Sequence, residues 1–83
     1  MVDLDNSQLY DSIFTGVFQI SKDDLGGSFT FALVDAWDSL AHMALIGELE
    51  DAFDVLLETE EILNFGSYEN GKRILKKHGI LFE

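Results

Sequence analysis

"VDAWDSLAHMALIGELEDAFDV", Val34 to Val55, is the stretch whose reading decides the fold. Asp38 and Ser39 open it, and the apolar residues behind them recur at helical spacing. At the ~100° per residue of an α-helix, Leu45, Ile46, Leu49 and Phe53 fall on one side, with His42 in the same arc. A helix is therefore predicted from Asp38 or Ser39 to about Phe53, with that pair as its cap. The opposite side carries Leu40, Met43, Ala44, Gly47, Glu48 and Asp51. Apolar groups near the serine give way there to carboxylates farther along. Such a face suits docking on a partner that offers basic residues around an apolar patch. Gly47 weakens the helix by about 1 kcal/mol relative to alanine. It marks either a close approach by a partner or a tolerant surface position.

Upstream, Leu9, Tyr10, Ile13, Phe14, Val17 and Ile20 repeat at three- and four-residue steps. They predict a first helix capped by Asn6 or Ser7 and ended by "SKDDLGG", since Gly26-Gly27 will not continue it. "SFTFALVDA" alternates like a strand, but the chain has no second strand of comparable quality to pair with it. It reads as a long loop with one helical turn, laying Phe29, Phe31 and Val34 on the core. Downstream, Thr59 is a candidate N-cap for a short helix to about Phe65. Ser67 is a candidate cap for a last helix with Tyr68, Gly71, Ile74, Leu75 and His78 on one face, and Gly79 is its natural stop. Trp37 reads either as a packing residue or as part of a site. The expected fold is all-α: a small bundle of three main helices and one short helix, with a long loop between the first two main helices.

Eighty-three residues allow one domain, residues 1–83. The apolar share of 47% is too high for a disordered tail. The start "MVDLDNSQLYD" lacks a positive n-region and an apolar h-region, and no apolar run approaches a membrane span. A soluble, cytoplasmic monomer without membrane insertion is expected. Residues 1–61 hold 14 carboxylates against one cation, Lys22, while residues 62–83 hold two against four, leaving a formal −11. That balance disfavours nucleic acid and favours basic protein partners.

The chemistry the sequence lacks is informative. There is no cysteine, no His-x-x-x-His pair, no glycine-rich phosphate loop and no calcium-loop pattern. A Ser39–His42–Asp38 triad is unattractive, because Asp38 and Ser39 are neighbours at a helix start and the chain is too small to wrap a substrate pocket. No catalytic residue and no metal ligand set is expected, and the chain does not read as an enzyme. His78 reads as a favourable charge at a helix C-terminus, and Ser39 stands where a helix N-terminus favours an anion.

The pattern resembles the acyl carrier protein family. The resemblance rests on "DSL" at Asp38-Ser39-Leu40, "LIGELEDAFDV", "LETEEILNF" and the last helix from Ser67, in register from Asp38 to about Tyr68. It implies that Ser39 is the attachment site of 4′-phosphopantetheine, placed there from coenzyme A by a phosphopantetheinyl transferase. The arm's thiol would carry an acyl group as a thioester, supplying the thiol this sequence lacks. Asp38 and Leu40 would flank the site for transferase recognition. Met43, Ala44, Gly47, Glu48 and Asp51 would dock acyl-loading and acyl-processing enzymes with basic surfaces. Ala44 replaces a usual carboxylate and Gly47 a usual bulky apolar residue of fatty-acid carriers. "AWDSLAH" looks more like discrete carriers of specialised pathways, such as polyketide-like, aminoacyl or polysaccharide and lipid assembly. The alternative from a different class is an unmodified acidic helical adaptor.

Overall fold

A computed structural model describes residues 5–82. Four α-helices follow in order: α1, Asn6–Phe18; α2, Ser39–Phe53; α3, Thr59–Asn64; and α4, Tyr68–Lys77. No strand forms among the described residues; one isolated bridge joins Thr30 to Ser67. This is the expected all-α bundle of three main helices and one short one, with residues 19–38 crossing from α1 to α2.

The limits of α2 come from local chemistry. Asp38 is the N-cap, extended at φ −96°, and its carboxylate accepts the Ala41 N–H at 2.8 Å. Such a cap contributes about 1 kcal/mol. At the other end Asp54 turns left-handed at φ 55°, and the N–H groups of Asp54 and Val55 both donate to the Glu50 carbonyl. Glu50 also accepts the Leu57 N–H on its carboxylate at 2.9 Å, which fixes the exit of the chain. Leu45, Ile46, Leu49 and Phe53 are buried as their spacing predicts.

The other boundaries need corrections. Asp5, not Asn6 or Ser7, caps α1. Its carboxylate accepts the Gln8 N–H at 2.7 Å while the Gln8 side chain accepts the Asp5 N–H at 3.3 Å. This reciprocal box satisfies two terminal donors at once. The helix ends at Phe18, where Gln19 turns left-handed, so "SKDDLGG" lies beyond it; Ser21 caps a separate 3-10 turn, Lys22–Asp24. Glu58 rather than Thr59 caps α3, and its N–H donates to Glu61 at 2.9 Å. Ser67 does cap α4, accepting the Asn70 N–H at 2.9 Å. Gly79, at φ 89°, does close α4: the Gly79 and Ile80 N–H groups return to the Lys76 and Leu75 carbonyls.

The core is largely aromatic. Tyr10, Phe14 and Phe18 of α1 meet Phe29 and Trp37 of the loop, Phe65 after α3, and Tyr68 of α4. Phe14 lies 5.3–5.9 Å, centroid to centroid, from Phe18, Phe29, Trp37 and Tyr68. Edge-to-face and tilted pairs of this kind each add about 0.5–1.5 kcal/mol beyond burial. The Tyr10 hydroxyl donates to the Tyr68 carbonyl at 2.6 Å, and the Tyr68 hydroxyl donates to Asp11. Burial pushes both phenols well above the ordinary tyrosine range, so both stay protonated donors. The loop is anchored by Phe29, as expected, and makes one unextended turn in which Leu33 and Val34 both donate to the Thr30 carbonyl. Phe31 departs from expectation: it is 47% exposed, because the Thr30–Ser67 bridge turns its neighbour away from the core.

Candidate functional site

Ser39 is the first residue of α2 and is exposed. Asp38 spends its carboxylate on the Ala41 N–H and its carbonyl on the His42 N–H. The capping role thus falls to Asp38 and not to Ser39. No hydrogen bond to the Ser39 hydroxyl forms among the described residues. The hydroxyl is exposed at the positive end of a helix of 15 residues.

The residues expected on the outer face are all exposed: Leu40, Met43, Ala44, Gly47, Glu48 and Asp51. Leu40, at 82% exposure, stands clear of the body of the protein beside the serine. A β-carbon at Gly47 would meet nothing within 4 Å, so nothing inside the fold requires a glycine there. A shallow hollow of about 540 Å³ lies over this glycine, edged by Met43, Glu48, Asp51 and Leu56. A second hollow of about 740 Å³ lies between α1 and the start of α2, with Gly16, Asp38, Leu40 and Glu48 among its walls. The ridge from Leu40 to Asp51 therefore stands between two depressions, apolar at its upper end and acidic at its lower.

On the other flank of Ser39 an apolar groove of about 390 Å³ runs between α2 and α3. Phe31, Met43, Ile62 and Leu63 line it, with Ser39 at its rim and His42 in its wall. Sequence reasoning did not assign Phe31, Leu56 or Leu63 to a site. Leu63 carried a legible signal, an apolar residue off the inward arc of a short helix, and it is 76% exposed. Phe31 and Leu56 carried none, because only the path of the loops sets their position.

His42 and Trp37 come together behind this groove. Trp37 is only 2% exposed, and its indole N–H donates to His42 Nδ1 at 2.9 Å. An indole N–H is a donor only, so Nδ1 is the unprotonated nitrogen. Nε2 therefore carries the proton and donates to the Ile62 carbonyl at 2.8 Å. The rings of Trp37 and His42 stack at 6.0 Å, and Phe65 meets His42 edge-on at 6.3 Å. Both nitrogens are thus engaged in holding the end of the loop, α2 and α3 together. His42 is not disposed to act as a general base on Ser39, and the triad stays unformed. His78 pairs with Glu61 at 2.9 Å, tying the end of α4 to α3. The Glu58 N–H, and next the bond from His78, hold the Glu61 carboxyl below the usual carboxylate range.

No group of three or more metal-ligating side chains forms among the described residues, and no described helix is long and apolar enough to cross a membrane. Comparison of the chain with protein-family models, with curated proteins and with solved structures finds no match.

Proposed function

We propose that the protein is a carrier: Ser39 bears 4′-phosphopantetheine, and acyl or related intermediates travel as thioesters on that arm. The observation that carries the reading is the Ser39 hydroxyl itself. It is exposed and unengaged at the start of a helix whose outer face is partly apolar and partly acidic. The arm fits the residues present, since the first N–H groups of α2 favour an anionic phosphodiester and no side chain obstructs the serine. In the transfer, Ser39 Oγ forms a bond to the pantetheine-side phosphorus of coenzyme A. The pyrophosphate P–O bond breaks, adenosine 3′,5′-bisphosphate leaves, and the serine proton passes to the transferase or solvent. When bound, the group supplies a thiol on a long flexible tether.

The chain's own part is presentation. Asp38 fixes the first turn so that Ser39 faces outward, and Leu40 and Met43 offer apolar contact beside it. Glu48 and Asp51 lie farther along for the basic residues of a partner enzyme. Tethering then raises the effective concentration of the cargo at whichever active site is docked. The chain performs no catalysis in this reading, acts as a monomer, and meets its coenzyme A-dependent transferase in the cytoplasm. The departures at Ala44 and Gly47, together with the sequence "AWDSLAH", favour a specialised pathway over housekeeping fatty-acid synthesis.

The same exposed face supports the second reading, an unmodified adaptor that docks on basic proteins. Intact mass separates the two. Incubation with coenzyme A and a broad-specificity transferase is expected to add one phosphopantetheine, and Ser39→Ala to abolish the addition. An unchanged mass under several transferases favours the adaptor, and modification of the alanine variant moves the site elsewhere.

A further inference from the structure

An arm on Ser39 has two apolar spaces within reach for its cargo: the outer groove and the core behind it. The two are separated by the seam between α2 and α3, and His42 sits in that seam. Its ring spans from the Trp37 indole to the Ile62 carbonyl, with hydrogen bonds of 2.9 and 2.8 Å. Behind it Trp37, Phe65, Leu45 and Ile46 are all but fully buried. Packing on the α4 side is so tight that a β-carbon at Gly71 would lie 2.3 Å from Phe65 Cζ. The outer groove is open by contrast, and Phe31, Met43 and Leu63 cover only one side of anything resting in it.

We infer that His42 is a specificity-determining residue: by bolting Trp37 to Ile62 it closes the α2–α3 seam beside Ser39, so that the chain carries short acyl groups outside its core and does not admit long ones. This rests on the carrier reading. A chain entering the seam has to part both His42 bonds, leaving the Trp37 N–H, both His42 nitrogens and the Ile62 carbonyl without those partners. Leaving even two of these four groups orphaned would take on the order of five newly buried methylenes to offset. The aromatic rings behind would also have to move apart, in a core with no slack at Phe65. A short group gains too little from burial to open the seam, and the outer groove already covers one flank of it.

The test loads the protein with acetyl, hexanoyl and dodecanoyl phosphopantetheine from the corresponding coenzyme A thioesters. Intact mass reports loading, and two readouts follow. Trp37 is the chain's one tryptophan, so its indole N–H gives a single assignable NMR signal. That signal is expected to keep its position with all three cargoes. Melting temperatures of the three forms are expected to agree within about 2 °C, whereas a buried dodecanoyl chain would raise the value by about 5 °C or more. In His42→Ala the bolt is gone, and the dodecanoyl form is expected to melt above the acetyl form. A displaced indole signal or a clear rise with chain length in the wild type overturns the inference and leaves the carrier reading intact. A folded His42→Ala protein indifferent to chain length removes His42 from the role. Should that variant not fold, the wild-type comparison decides alone. Failure of all three donors to add mass refutes the carrier reading and this inference with it.

Discussion

Gly47 and Gly71 are the same residue in the same setting by local criteria, each in the interior of a helix. Each weakens its helix by about 1 kcal/mol relative to alanine. Their surroundings are opposite. Gly71 lies where α4 crosses α1, and a β-carbon there would stand 2.3 Å from both Phe65 Cζ and Tyr10 Oη. Gly47 faces open space. The first glycine is demanded by the core, because only a missing side chain lets Tyr10 reach the Tyr68 carbonyl and Phe65 pack against α4. The second is demanded by nothing inside the molecule. What separates the two faces is therefore what constrains them: the inner face of α4 is fixed by the fold, and the outer face of α2 is left open.

Substitution at the two glycines should break the symmetry most visibly. Gly71→Ala is expected to destabilise by about 1–3 kcal/mol despite its better helix propensity, because the added carbon overpacks a site walled by two rings. Gly47→Ala is expected to stabilise by up to about 1 kcal/mol. Urea unfolding of both variants measures the pair of opposite signs. A stabilising Gly71→Ala would mean that Phe65 and Tyr10 yield easily, and the contrast would collapse.

Charge reversal sharpens the same comparison from the outer side. Glu48→Lys with Asp51→Lys is expected to leave stability near wild type and to slow phosphopantetheine transfer. The slowing should be strongest at low salt, since each exposed pair is worth only about 0.2–1 kcal/mol. The control is a double reversal at Asp23 and Glu60, both exposed and off this face. Glu61 does not serve, because it accepts the Glu58 N–H and pairs with His78. Equal slowing in test and control would reduce the docking face to net charge.

The smallest effect belongs to Glu61, a carboxylate on the structural side of the divide. The Glu58 N–H, and next the bond from His78, hold its carboxyl below the usual carboxylate range in the folded state. A depressed carboxyl stabilises the fold above its unfolded pKa and loses that contribution as pH falls through the folded value. The stability difference between wild type and Glu61→Gln should thus be full near neutrality and shrink below about pH 4.5. Urea unfolding across the acid range measures it; a difference that grows toward acid would reverse the assignment.

The outer face of α2 was legible from residue order alone, and much of the inner packing was not. Helical spacing separates Leu45, Ile46, Leu49 and Phe53 from the exposed Met43, Ala44, Gly47 and Glu48, because position on a helix is a matter of angle. No angle told Gly71 from Gly47. The loop was readable at Phe29 and Val34, which pack on the core, but not at Phe31, which obeys the same alternation yet is exposed beside the Thr30–Ser67 bridge.

By itself the sequence determined the helical class, the span of α2 to within a residue at its start, the cap at Ser67 and the stop at Gly79, while leaving the cap of α2 open between Asp38 and Ser39. Those features close within about four residues of chain, so the interacting groups are near each other before any folding occurs. Left-handed residues at Gln19 and Asp54 also act locally, but neither is a glycine, and their composition gave no sign of the turn. Tertiary structure alone decided that the Tyr10 hydroxyl meets a carbonyl 58 residues away, that Glu61 meets His78 across 17, and that His42 reaches Ile62 across 20. Hydrogen bonds of that separation form only after the apolar faces have set the helices against one another, and no periodicity in the chain encodes where a side chain will then find its partner.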